Sequence, residues 1–192
     1  MGLAETQALL ARLFTDEGLR REFFESPVAV AARLGLSMHD TQRLAALDRR
    51  ETEALARSLI GKRALYARKA LPLTARALGD RFDGLLREAI RGRAGDGKSP
   101  SDAAALVTLL EERLARREIE PPWIVDLARF ERAFIDSGRA GSALVLRRFY
   151  FDVAAIAASL ARGEDVSATR KPTFGVWARA PRGRLRWRLF GL

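Results

Sequence analysis

The stretch "ALVLRRFYF", residues 143–151, decides how this chain folds, because it breaks the pattern of everything before it. Up to Gly141, apolar residues recur at i, i+3 and i+4, the spacing of amphipathic helices. From Ala143, branched and aromatic residues follow one another with little polar interruption, as in a β-strand. Outward from it, Asp152 is placed to cap a helix over 153–162, and Gly163 to stop it. A polar linker, 164–172, leads to two further strands, 173–179 and 185–190, joined across Ala180-Pro181-Arg182-Gly183. The expected architecture is mainly α, of the α+β class. A helical domain, 1–140, precedes a small β-α-β-β module, 141–192. Three strands make a viable sheet when one face packs on helices.

Before residue 141 the helix punctuation is legible. Leu3, Leu9, Leu10, Leu13 and Phe14 mark a helix over 3–14. Asp16 heads a second over 17–25, with Leu19, Phe23 and Phe24. Ser26-Pro27 supplies a cap and a first-turn proline, and Gly35 a left-handed stop. Ser37 caps the next helix, with Asp40 three residues on. Residues 49–69 read as one long helix, with Leu55, Leu59 and Leu65 on one side and charges on the other. Pro72 opens a helix over 72–78, and Gly79-Asp80 precede one over 80–91. "GRAGDGKSPS", residues 92–101, is a loop. Its Gly97-Lys98-Ser99 lacks the spacing and the preceding strand of a phosphate-binding loop. Asp102 heads a helix to about Arg117, and Pro121-Pro122 start another that ends at Gly138.

Alternation along the final strands assigns their faces. Leu185, Trp187 and Leu189 share one side, and Arg184, Arg186 and Arg188 the other. In the preceding strand Phe174, Val176 and Ala178 face one way, and Thr173, Gly175, Trp177 and Arg179 the other. One apolar face must cover the helices, which leaves the arginine face outward.

The chain has 192 residues, enough for a sizeable core, and 48% are apolar. It contains no cysteine, so disulfides, thiolate metal sites and a cysteine nucleophile are excluded. No apolar run approaches the length of a membrane span, and acids appear too early for a signal peptide. "MGLAET" fits the myristoylation pattern formally, yet the residues after it read as an ordinary helix. The net charge is +10. Seven cations (Arg170, Lys171, Arg179, Arg182, Arg184, Arg186 and Arg188) follow Val166 with no acid among them.

Catalytic signatures are missing. The single histidine, His39, sits beside a helix cap and has no H-x-x-x-H or H-x-x-E spacing for a metal. No G-x-S-x-G nucleophile elbow is present. Glu51/Glu53 and Glu111/Glu112 read as solvated helix surface rather than acid/base pairs. Trp123, Leu127, Phe130 and Phe134 form one helical stripe, i, i+4, i+7 and i+11, which reads first as core. The sharper reading makes part of it an interface with a larger protein, bordered by Arg129, Glu131 and Arg132.

Four stretches occur together in a fixed order: "FTDEGLRREFFESPVAVAARLGLSMHDTQRLAALD" (14–48), "KRALYARKALPLTARALGDRFDGLLREA" (62–89), "PPWIVDLARFERA" (121–133) and the basic hairpin. In this order the chain resembles MbnC-like partner subunits of multinuclear non-haem iron oxidases that modify peptides, the methanobactin-biosynthesis type. More distant members of that group carry a DNA-binding label. The resemblance implies an accessory, non-catalytic subunit in a bacterial cytoplasm, with no cofactor of its own and iron in its oxidase partner. It implies a heterodimer in which this chain holds the leader of a precursor peptide whose cysteines the oxidase modifies. It also implies a C-terminal sheet that recognises peptide. An edge strand there can accept an extended peptide through its unpaired backbone groups. On that reading Val176, Trp177, Arg184, Arg186, Trp187 and Arg188 bind the peptide, and Trp123, Arg129, Phe130 and Arg132 meet the oxidase.

The rival reading is a nucleic-acid-binding protein that uses the basic hairpin as a wing. Against it, the 153–162 helix is almost entirely apolar, whereas a recognition helix needs polar side chains for base edges. Neither nucleic acid nor membrane is therefore the expected partner.

Overall fold

In a computed structural model, the described residues are 3–93, 99–138, 144–179 and 184–191. The start of the myristoylation-like motif, the middle of the 92–101 loop and the 180–183 turn lie outside them. The described residues form α1 (Leu3–Thr15), α2 (Glu17–Glu25), α3 (Pro27–Arg33), α4 (Met38–Ala45), α5 (Arg49–Ala70), α6 (Pro72–Leu78) and α7 (Arg81–Ala89). They continue as α8 (Ser99–Ala115), α9 (Trp123–Ser137), β1 (Leu144–Phe151), α10 (Val153–Arg162), β2 (Arg170–Arg179) and β3 (Leu185–Gly191). This is the mainly helical α+β arrangement expected from the sequence.

Capping residues set many of these boundaries. A helix leaves its first N–H groups without intrahelical acceptors, and a side-chain oxygen at the cap supplies one. Asp16 accepts from Leu19 N at 3.0 Å, Ser37 from Asp40 N at 3.1 Å, and Asp48 from Glu51 N at 2.8 Å. Asp152 accepts from Ala155 N at 3.1 Å, and Gly163 ends α10 at φ 76°.

The residues group into two compact units, Met1–Leu65 with Ile90–Lys98, and Tyr66–Ala89 with Ser99–Leu192. This division differs from the one expected at residue 140. The sheet buries one face on α9, so the strands share a core with the helices that precede them.

In the first unit Leu9, Leu13, Leu19, Phe23, Val30 and Leu44 form the core. Arg20 is buried there and donates to Leu13 O at 2.7 Å. Arg33 grips Glu22 through two bonds of 2.6 and 2.8 Å, tying α3 to α2. Helix α5 corrects one expectation. Leu55, Leu59 and Leu65 are exposed, whereas Thr52 and Ala56 are the buried positions. Small side chains face inward, and the long leucines border the charged surface. His39 is exposed, as expected for a residue beside a cap.

In the second unit α9 is the hub, packing on α6, α8, α10, β1 and β2. Strand order is β1-β2-β3, all antiparallel. Strand β2 begins at Arg170, three residues before the expected start, because Phe151 pairs with Arg170 beyond a bulge at Lys171 and Pro172 of β2. Pro172 has no N–H for a sheet ladder. It is tolerated because β3 stops at Gly191, opposite Thr173. No helix among the described residues is long and apolar enough to cross a membrane.

Candidate functional site

The sheet has an inner face and an outer face, and register decides which side chains lie on each. Trp177 pairs with Val145 on one side and with Trp187 on the other, and Gly175 pairs with Arg147 and Leu189. Val145, Phe149, Trp177, Trp187 and Leu189 therefore share the face that packs on α9. The outer face carries Leu144, Leu146, Arg148 and Tyr150 from β1, Phe174, Val176 and Ala178 from β2, and Arg186, Arg188 and Phe190 from β3. Leu144, Leu146, Tyr150 and Phe190 are exposed there.

Trp177 is the centre of the inner face, at 0% exposure. Phe130, Phe134 and Phe149 approach it edge-on at centroid distances of 5.9, 5.6 and 6.2 Å. Its indole leans back along β2 over residue 175. A Cβ at Gly175 would lie 2.5 Å from the ring carbons of Trp177 and 3.0 Å from Leu189, so only glycine fits. The Trp177 Nε1 is buried without a hydrogen-bond partner, a cost outweighed by the apolar area of the ring. Trp177, one of the expected peptide contacts, is thus a core residue and offers a peptide no surface.

Trp187 differs. It stacks on Trp177 at 6.4 Å and 14°, meets Phe130 and Phe134 edge-on, and still keeps 45% of its surface exposed. Leu185 and Leu189 beside it are half-buried. At the opposite strand the same layer is closed, with Phe149 at 0% exposure. The sheet–helix core is therefore complete at β1 and unfinished at β3.

The two sheet edges differ in the same sense. At β1, the Asp126 carboxylate on α9 accepts from Tyr150 N at 2.5 Å and Phe151 N at 3.1 Å, filling part of that edge. At β3, no element among the described residues pairs with the outward side. An open groove lies beside β3 on the outer face, lined by Val176 and Ala178 of β2 and by Arg186, Trp187, Arg188 and Phe190 of β3. Arg184, Arg186 and Arg188 are exposed, and among the described residues Arg186 and Arg188 make no ion pair.

The α9 stripe is internal. Phe130 is in the core, and Trp123 packs half-buried against the Leu127, Ile156 and Leu160 cluster. Arg129 binds Glu111 at 2.7 Å and Asp126 at 3.4 Å. Arg132 reaches Asp136 at 3.5 Å and Thr108 Oγ1 at 3.2 Å. Arg129 and Arg132 are thus bonded within the chain, and of the stripe Leu127 and Phe130 are buried while Trp123 and Phe134 are partly buried.

Two carboxylates on α9 are buried, a setting that often marks catalytic acids. Burial pushes Asp126 up, against the pull of Tyr150 N, Phe151 N and Arg129. Burial likewise pushes Glu131 up, against its bonds from Thr74 and Leu73. Both are occupied structurally. Glu131 accepts from Leu73 N at 2.8 Å, Thr74 N at 2.8 Å and Thr74 Oγ1 at 2.6 Å, capping α6 from another helix. The signal for this cap is in the sequence, because Leu71 precedes Pro72 and has no side chain able to cap the helix. What it does not reveal is which distant acid answers.

Among the described residues, no group of three or more His, Cys, Asp or Glu side chains is placed to hold a metal ion. No protein-family model matches the chain, and no curated protein matches it significantly.

Proposed function

We propose that this chain is a non-catalytic partner subunit. It binds the leader of a precursor peptide and presents it to a multinuclear non-haem iron oxidase that modifies peptide cysteines, as in methanobactin biosynthesis. The observation that supports this reading best is the β3 edge. Among the described residues its backbone is unpaired on one side, its inner face leaves Trp187 half covered, and its outer face carries exposed arginines. An extended peptide docked there gains main-chain hydrogen bonds, and alternate side chains settle on either face. Trp187 supplies an apolar anchor, and Arg184, Arg186 and Arg188 supply charge. The iron and the oxygen chemistry belong to the partner in a heterodimer.

Co-expression with a candidate oxidase subunit, followed by purification through this chain alone, tests the reading. Both subunits should elute as one complex, and the precursor peptide should bind the complex with its leader intact. Separate elution at micromolar concentration would overturn it.

A second reading has one observation behind it. Tyr150 and Phe190 are exposed on the same sheet face as Arg148, Arg186 and Arg188, a mixture that single-stranded nucleic acids use for stacking and phosphate contact. The wing reading fares less well, because the exposed side of α10 is mostly alanine up to Arg162. A steep fall in oligonucleotide affinity with salt is its signature.

A further inference from the structure

We infer that the segment received at the β3 edge is a strand alternating apolar with acidic residues. The inference rests on the peptide-binding reading above and adds the chemistry of the ligand. Successive side chains of an added strand point to opposite faces of the sheet. Those on the inner side continue the row formed by Trp177 and Trp187, and there they cover the indole that is still 45% exposed. That row lies over Phe130 and Phe134 of α9, which approach Trp187 at 5.7 and 5.4 Å. It therefore takes apolar groups. Side chains on the outer side come beside Arg186 and Arg188, which are exposed and have no carboxylate partner among the described residues. That row therefore takes Asp or Glu. One face selects for burial and the other for charge, and a strand must satisfy both at once.

The same geometry argues against a second copy of this chain as the occupant. Pairing β3 with β3 across a two-fold axis brings the outer arginines of one copy beside those of the other. Like charges directly across a strand pair are destabilising. Strand β1 is the poorer edge, since the Asp126 carboxylate already takes two of its amides.

The test uses the full chain and dye-labelled peptides of about eight residues, a strand of ordinary length. One alternates Glu and Val, one alternates Lys and Val, and one has the Glu and Val residues in separate blocks. Fluorescence anisotropy at low and physiological salt reads the affinities. The alternating acidic peptide should bind about tenfold more tightly than either other peptide, with the gap narrowing as salt rises. The double variant Arg186→Glu/Arg188→Glu should reverse the preference between the Glu and Lys peptides, and circular dichroism confirms that it folds. Trp187→Ala should weaken all the peptides. Equal binding of the block and alternating acidic peptides overturns the alternation while leaving peptide binding in place. No binding of any peptide, or displacement of the acidic peptide by an oligodeoxythymidine at lower concentration than by itself, overturns the peptide-binding reading as well.

Discussion

Helix α9 and strand β3 carry the same signal in the chain, large apolar residues set among arginines. In α9 the arginines reach acids on their own or a neighbouring helix, and the aromatic residues are core or packed against it. In β3 the arginines point outward with no acid beside them among the described residues, and Trp187 remains half covered. The difference comes from what surrounds each element. Helix α9 is enclosed by α6, α8, α10 and the sheet, whereas among the described residues β3 has a strand neighbour on one side only. Identical residue types thus serve cohesion in one place and stay exposed in the other.

The comparison can be broken most forcefully at its centre. Trp177→Ala removes the ring around which three phenylalanines pack, and should cost about 3–5 kcal/mol in chemical denaturation. Gly175→Val should cost a comparable amount, since its side chain enters the space of that ring. If either variant unfolds at the wild-type midpoint, the inner face is not the core of this unit.

Next comes Glu131. Glu131→Ala leaves three donors of α6 without their acceptor and should destabilise by about 3 kcal/mol. Its pH dependence has a definite sign. Burial raises the folded-state value above the ordinary 4.5, so the native state holds the proton more tightly than the unfolded chain. The contribution from this group is then fully present below about pH 4.5 and is lost as pH rises through the raised value. Wild-type stability should fall with pH across that window relative to Glu131→Gln, which cannot titrate. Thermal melts of both proteins between about pH 4 and 7 check the difference, and parallel curves would refute it.

Smaller effects separate the two sets of arginines. Arg129→Ala removes a partner from Glu111 and from the buried Asp126, and should cost about 1 kcal/mol after allowing for its partial exposure. Arg186→Ala and Arg188→Ala should change stability by no more than about 0.5 kcal/mol, while weakening an acidic peptide ligand. If the β3 variants lose as much stability as Arg129→Ala, the β3 arginines are structural and the contrast disappears.

Much of this is legible in the residues alone. Helix α10 spans the expected residues because Asp152 and Gly163 bracket it and both signals are local. The alternation of arginine with Leu185, Trp187 and Leu189 assigned the faces of β3, since period-two geometry needs no knowledge of neighbours. Reading α5 by its leucines failed for the opposite reason. Burial there depends on which side of the helix meets the rest of the chain, and that side carries Thr52 and Ala56. Trp177 and Trp187 are also indistinguishable as letters, each a tryptophan in an amphipathic strand.

By itself, the sequence determined the local chemistry: where helices start and stop, that residues 144–151 are extended, and which side of β3 is cationic. Only the tertiary structure decided which tryptophan is buried, which acid caps α6, which edge is filled by Asp126 and which is open. Caps and strand alternation act between residues a few positions apart. Burial and edge pairing depend on partners tens of residues away, such as Glu131 with Thr74 and Asp126 with Tyr150, and those partners meet only when the chain has folded.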